Sequence, residues 1–198
     1  KTENNKITIK PIAGTRLKQK YPNRELEKEL LSDPKERAEH LMLLDLGRND
    51  VGRVAKIGSI KVKNPFSIQE TSNLIHIVST VEGDLREDED QISSLSAGFP
   101  AGTVSGAPKI RAMEIIDELE KEKRGIYAGA VGYFSANGDM DTAIALRTAI
   151  IKDEMMYVQA GGGVVYDSNE EYEYNETVNK SQALFKAAKD AILNNLKE

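Results

Sequence analysis

The chain has 198 residues, 39% of them hydrophobic and 30% charged, with 27 Lys and Arg against 32 Asp and Glu for a net charge of −5. That is the balance of one globular domain over 1–198, and it leaves no basic patch for nucleic acid and no apolar run long enough to span a membrane. With no Cys and no signal-peptide character at its start, the chain is expected to be a cytoplasmic protein without disulfide or thiolate chemistry, acting on a small molecule.

Residues 7–12 alternate as a short strand, and a turn at Ala13 and Gly14 is predicted to present Thr15 and Arg16 on a ligand-facing rim. A charged helical run follows over 23–31. In Asp33-Pro34-Lys35-Glu36 the Asp can cap, the Pro can take the first position and the Glu can complete a capping box, which predicts a long helix to about Val51. Glu36 and Glu39 share a face of that helix, either as a solvated acidic edge or as paired ligands. Gly52 and Gly58 end it, 59–62 reads as a strand, and Asn64-Pro65 as a turn. The apolar run 73–79 is interrupted only by His76, a satisfied core histidine or a catalyst, and 87–90 reads as a solvated acidic loop.

Residues 100–124, PAGTVSGAPKIRAMEIIDELEKEKR, read as a loop that turns into a helix. Gly102, Thr103, Ser105 and Gly106 suit tight backbone geometry, and Pro108 suits a first helical position. Ile110, Met113, Ile116 and Leu119 form an apolar face, closed by Gly125 as a cap. Such a helix start aims N–H groups at an anion, although the spacing of the glycines and Lys109 does not spell a P-loop.

Strands over 126–136 and 140–152 are joined by Asn137-Gly138, a strong hairpin signal, with Arg147 in phase with Ala143, Ala145 and Ala149 on a small-residue face. Asp153-Glu154 leads to a further strand over 155–158, and the glycines 161–163 predict close approach of backbone to a ligand or a neighbouring element. A last helix over about 169–196 puts Ala183, Leu184, Ala187, Ala188, Ile192 and Leu196 on a core side, and Glu173, Glu176 and Lys180 together on one face. Two helices thus each offer an i, i+3 pair of carboxylates, an oxygen-rich set suited to Mg²⁺. The expected fold is α+β, a largely antiparallel sheet with helices layered on it.

The segments PIAGTR (11–16), ERAEHLMLLDLGRND (36–50), the His76 run, GTVSGAPKIRAME (102–114), YAGAVGY (127–133), DTAIALRTAI (141–150), QAGGGVVYDS (159–168) and NETVNK (175–180) closely resemble the chorismate-utilising enzymes, in family order and over essentially the whole chain. The resemblance implies that Mg²⁺ bridges the ring carboxylate of chorismate to Glu39 and Glu176, with Glu36 and Glu173 supporting through water. It places Tyr127, Arg147 and the backbone around Gly163 at the enolpyruvyl carboxylate, Gly14, Thr15 and Thr103 along the substrate site, and Lys180 as added positive charge. His76, which would transfer protons, and Thr103 are the implied catalytic residues.

The implied reaction is amination at C2 of chorismate with loss of the C4 hydroxyl, then elimination of pyruvate. Ammonia would come from a glutamine amidotransferase partner, since no Cys here could serve as a glutaminase nucleophile. Ala13 stands where para-aminating relatives carry a nucleophilic Lys, and Thr103 where they tend to carry Ser, so the resemblance favours the anthranilate-forming branch over aminodeoxychorismate synthase. Family members are considerably longer. The chain is therefore expected to be a fragment lacking N-terminal strands and the tryptophan-sensing region, and to make little anthranilate by itself.

Overall fold

The computed structural model describes residues 1–18, 24–71 and 74–195. They form two compact units, Lys1–Met113 with Gly132–Thr142, and Glu114–Val131 with Ala143–Glu198. Asn23, Asn73 and Leu196, at the ends of three predicted runs, lie outside the described residues.

The first unit is built on one sheet in which β3 (Ile12–Leu17), β5 (Leu74–Asp84), β2 (Lys6–Ile9), β1 (Thr2–Glu3), β7 (Met140–Ile144) and β6 (Ala130–Phe134) lie in that order, while β4 (Lys61–Glu70) also pairs with β5. The ladders of β1 to β5 are antiparallel, so the α+β expectation holds. β5 is the centre. Its sequence alternates, and Ile75, Ile77, Ser79, Val81 and Gly83 are buried on one face. One flank of β5 is occupied by β3 and then β2, the other by β4.

Two helices cover the buried face. α1 (Arg24–Ser32) contributes Leu30, fully buried against Ile75 and Ile77. α2 (Pro34–Gly52) starts as its sequence predicts, with Pro34 in the first turn and the Asp33 carboxylate accepting from Lys35 N at 2.9 Å and Glu36 N at 3.2 Å. Those backbone bonds, first among them the one from Glu36, hold the Asp33 carboxyl below its ordinary range. The reciprocal half of a capping box does not form, because the Glu36 side chain turns to Arg16. Leu44 and Val51 join Ile7, Val54, Ala55, Val81, Leu85 and Ala97 in the larger core cluster.

Among these apolar contacts α2 buries an imidazole. His40 is fully buried; its Nε2 lies 2.7 Å from Ser79 Oγ, and burial pushes its pKa below the usual histidine value. Ser79 Oγ also accepts the N–H of Phe66 at 3.0 Å. Phe66 meets the His40 ring edge-on at 4.9 Å. Replacing Ser79 by Ala would strand both polar partners, and is expected to cost roughly 1–3 kcal/mol in urea unfolding of the native protein. An unchanged midpoint would show that the cluster re-pairs internally.

Several local expectations are corrected. Residues 12–17 are continuous strand, with a bulge at Gly14 where a turn was expected. Asn64 and Phe66, both at positive φ, and Pro65 form a bulge inside β4 instead of a turn. The acidic stretch at 87–90 is not simply solvated: Glu87 pairs with Lys56, Glu89 with Arg86, and Asp90 caps α3 (Gln91–Gly98), a helix the sequence reading missed.

The 100–124 stretch contains one helical turn, α4 (Gly102–Ser105), before α5 (Lys109–Leu119). The N–H groups of Val104, Ser105 and Gly106 are used inside α4, which takes these three loop donors, though not those that open α5, out of reach of an anion. α5 ends well before Gly125, and Ile110 and Leu119 on its predicted core face are 70% and 73% exposed.

The second unit holds a hairpin of β8 (Ala149–Lys152) and β9 (Met155–Val158), turned at Asp153 and Glu154, both at positive φ. α6 (Glu170–Asn195) follows, its start capped by Asn169, whose side chain accepts from Tyr172 N at 3.0 Å. On its expected core side Leu184 and Ala188 are half-buried, while Ala183, Ala187 and Ile192 are exposed. Arg147 is not on a strand in phase with the alanines. It sits at φ 52 in the break between β7 and β8.

Candidate active site

In the first unit, three of the residues singled out by sequence meet where β3 and β5 pair. Thr15 and His76 are register partners. The bulge gives Gly14 a φ of +66 and turns its carbonyl onto the imidazole, 3.1 Å from His76 Nδ1, while Thr15 Oγ1 lies 3.2 Å from the same nitrogen. A carbonyl only accepts, so this contact requires Nδ1 to carry the proton. Nε2 is then the basic nitrogen of the neutral ring, and it makes no hydrogen bond among the described residues. His76 is half-buried on the sheet face opposite Ser79 and the helices, so it is not a core histidine.

On the other face of the sheet, where the helices pack and where Arg16 pairs with Ile75 in register, lies a charge cluster. Arg16 donates to Glu36 at 2.8 Å, to Asp33 at 3.0 Å and to Glu29 at 3.3 Å. The Glu36 carboxylate first, and Glu29 after it, raise the guanidinium pKa above its ordinary value. Arg16 therefore ties β3 to the start of α2 and orders the Glu36 side chain. Glu39 is exposed further along α2, and Thr103 is exposed in α4.

The second unit gathers the remaining candidates around the end of β9 and one face of α6. Lys180 Nζ is 2.5 Å from the Glu176 carboxylate and 3.1 Å from Gly161 O, and Arg147 donates to Lys180 O at 3.1 Å. Glu173 is 8% exposed, the most buried residue on that helix, and accepts from Ser168 Oγ at 2.8 Å. A Cβ on Gly161 would come within 3.0 Å of Tyr127 Oη, whereas one on Gly163 would meet nothing within 4 Å. The prediction of close backbone approach thus holds at Gly161, and Gly163 borders open space.

Glu173, Glu176 and Lys180 do share a face, as their spacing requires. Within each unit by itself, the described residues assemble no group of three or more His, Asp or Glu that could hold a metal. Sequence reasoning missed Ser168, the donor to Glu173, and did not foresee Arg16 as an internal clamp. The signal for the latter was present: an Arg on a strand that precedes a helix start rich in Glu and Asp.

A strand-held imidazole whose Nδ1 is anchored by a backbone carbonyl and whose Nε2 is left open has the form of a candidate proton-transfer group. The chain belongs to the chorismate binding enzyme family, whose sequence model matches residues 1–186. It is 65% identical over 187 residues to anthranilate synthase component 1 of Cereibacter sphaeroides, covering 93% of this chain and 37% of that protein. To the Aquifex aeolicus protein of the same name it is 59% identical, with 93% and 38% covered. The chain thus spans less than two fifths of the length of these curated relatives.

Among solved structures it superposes on anthranilate synthase component I from Streptococcus pneumoniae with a TM-score of 0.84 at 50% identity, over 91% of this chain and 40% of that one. A putative 2,3-dihydroxybenzoate-specific isochorismate synthase from Bacillus anthracis superposes at 0.81 with 26% identity, over 94% of this chain and 50% of that one. No helix among the described residues is long and apolar enough to cross a membrane.

Proposed function

We propose that this chain carries chorismate-site residues of an anthranilate synthase aminase component, which converts chorismate and ammonia to anthranilate and pyruvate. The observation that supports this most is the 65% identity to a relative of that name, against 26% to the isochorismate synthase. Ala13 adds to it. The residue is buried and has no amine, so it offers no nucleophile of the kind that para-amination by the related aminodeoxychorismate synthase would use.

In this reading His76 moves the protons. Its Nδ1–H, anchored by Gly14 O, leaves Nε2 to take a proton and return it as ammonia adds and pyruvate leaves. Thr15 and Thr103 position substrate by hydroxyl contacts, and Tyr127, Arg147 and the open backbone at Gly163 receive a carboxylate of chorismate. Lys180 supplies positive charge. A glutamine amidotransferase subunit in the same cytoplasmic pathway would deliver ammonia.

The family also implies a divalent cation. Glu36 and Glu39 on α2, with Glu173 and Glu176 on α6, are hard oxygen donors that fit Mg²⁺ chemically, and the Arg16 and Lys180 contacts show Glu36 and Glu176 balanced by cations. Glu39 and Glu176 would hold the ion directly, Glu36 and Glu173 through water. When bound, the ion neutralises a substrate carboxylate that these glutamates would otherwise repel.

Native protein incubated with chorismate, Mg²⁺ and ammonium at alkaline pH is expected to show anthranilate fluorescence. Chelation with EDTA should abolish the signal and added Mg²⁺ restore it. Accumulation of isochorismate or of a para-aminated product would overturn the assignment.

A further inference from the structure

We propose that the buried ion pair between Asp50 and Lys109 is a positioning device for the loop that carries Thr103, and so a further determinant of turnover. The functional part rests on the reading of Thr103 as a chorismate-site residue. Asp50 lies in the last turn of α2 with its side chain 5% exposed, and Lys109 opens α5 with its side chain 11% exposed. The ammonium sits 2.9 Å and 2.8 Å from the two carboxylate oxygens.

Neither charge is explained by its own helix. An acid at a helix C-terminus and a cation at a helix N-terminus each oppose the macrodipole, and both are also withdrawn from water. What the pair does is tie the end of α2 to the start of α5. A second tie sits at the other end of the loop, where a Cβ on Gly102 would come within 2.8 Å of Leu46 Cδ1. Gly102 thus lies directly on α2.

Leu46 and Asp50 are four residues apart and so share a stripe of α2. The loop is therefore seated at both ends on that stripe, by close backbone approach at Gly102 and by charge at Lys109. Between them the α4 turn is closed by its own N–H bonds, with Thr103 exposed in its middle. This seating registers Thr103 against the helix that also bears Glu36 and Glu39.

The test uses the intact native protein. Lys109→Met and Asp50→Asn are each expected to lower kcat for anthranilate formation by about tenfold to a hundredfold, with a smaller change in KM, because a shift of about 1 Å in a positioned group costs on that order. Amide hydrogen exchange across 102–108 should accelerate in both. The exchanged double variant D50K/K109D restores the attraction with each charge at the helix end that favours it, and should recover most of kcat and of the exchange protection.

The neutral pair D50N/K109M controls for folding: it removes the buried charge without restoring the tie, and should stay folded yet slow. Unchanged loop exchange and kcat in Lys109→Met would overturn the proposal. So would a folded D50K/K109D that recovers neither. Wild-type protein that never turns over chorismate, with the exchange response intact, would instead overturn the reading of Thr103 and leave the pair as architecture alone.

Discussion

Replacing His76 by Ala is expected to lower anthranilate formation by about 10²- to 10⁴-fold, the usual worth of a positioned proton-transfer group. The imidazole is held through one nitrogen by Gly14 O at 3.1 Å and sits beside Thr15 Oγ1 at 3.2 Å, so its other nitrogen is oriented without being consumed. His76→Gln separates chemistry from architecture. Its amide can still donate to Gly14 O, and it should preserve the fold and chorismate binding, but it cannot relay a proton. If Gln supported turnover within about threefold of wild type, well short of the loss expected for a lost acid–base group, His76 would be a structural ligand of the bulge only.

Gly14→Ala is expected to destabilise the native protein by about 2–5 kcal/mol in urea unfolding. At φ +66 an L side chain is strained by about 1–2 kcal/mol. Its Cβ would also lie 2.9 Å from Leu30 Cδ1 and 3.2 Å from Glu36 Oε2. Leu30 is 0% exposed and cannot swing into solvent, so overpacking adds roughly 1–3 kcal/mol. The same shift moves the carbonyl that anchors His76, so kcat should fall in the fraction that remains folded. A variant within about 0.5 kcal/mol of wild type would mean that the bulge relaxes freely, contrary to its packing.

Where local chemistry decided the structure, it could be read from the chain. Asp33-Pro34 starts a helix because a carboxylate and a missing N–H both suit that position, and Asp153-Glu154 turns a hairpin between strands whose apolar character was evident. The meeting of Gly14, Thr15 and His76 was implied only by family resemblance, since no periodicity reveals which strands pair. The corrections fall where tertiary partners prevailed. Pro65 looks like a turn but sits in a bulge of β4, and Glu36 forsakes its capping box for Arg16, which arrives from a distant strand. His40 was hidden because nothing local marks an imidazole as buried; only Ser79, on the facing strand, accounts for it. Arg147, read as one beat of an alternating strand, lies at a break between strands that alternation cannot signal.

The central place of β5 also bears on the order in which the molecule can assemble. Its partner β4 immediately precedes it, so that hairpin closes a short loop, whereas the Thr15 to His76 contact spans 61 positions and must meet a larger loss of chain entropy. The pairing of β3 with β5 is also the one that creates the imidazole site. Refolding followed by chorismate binding should therefore lag behind refolding followed by signals local to the β4–β5 hairpin, and a chain arrested before the β3–β5 ladder closes would carry every candidate residue of the first unit while offering its substrate no site.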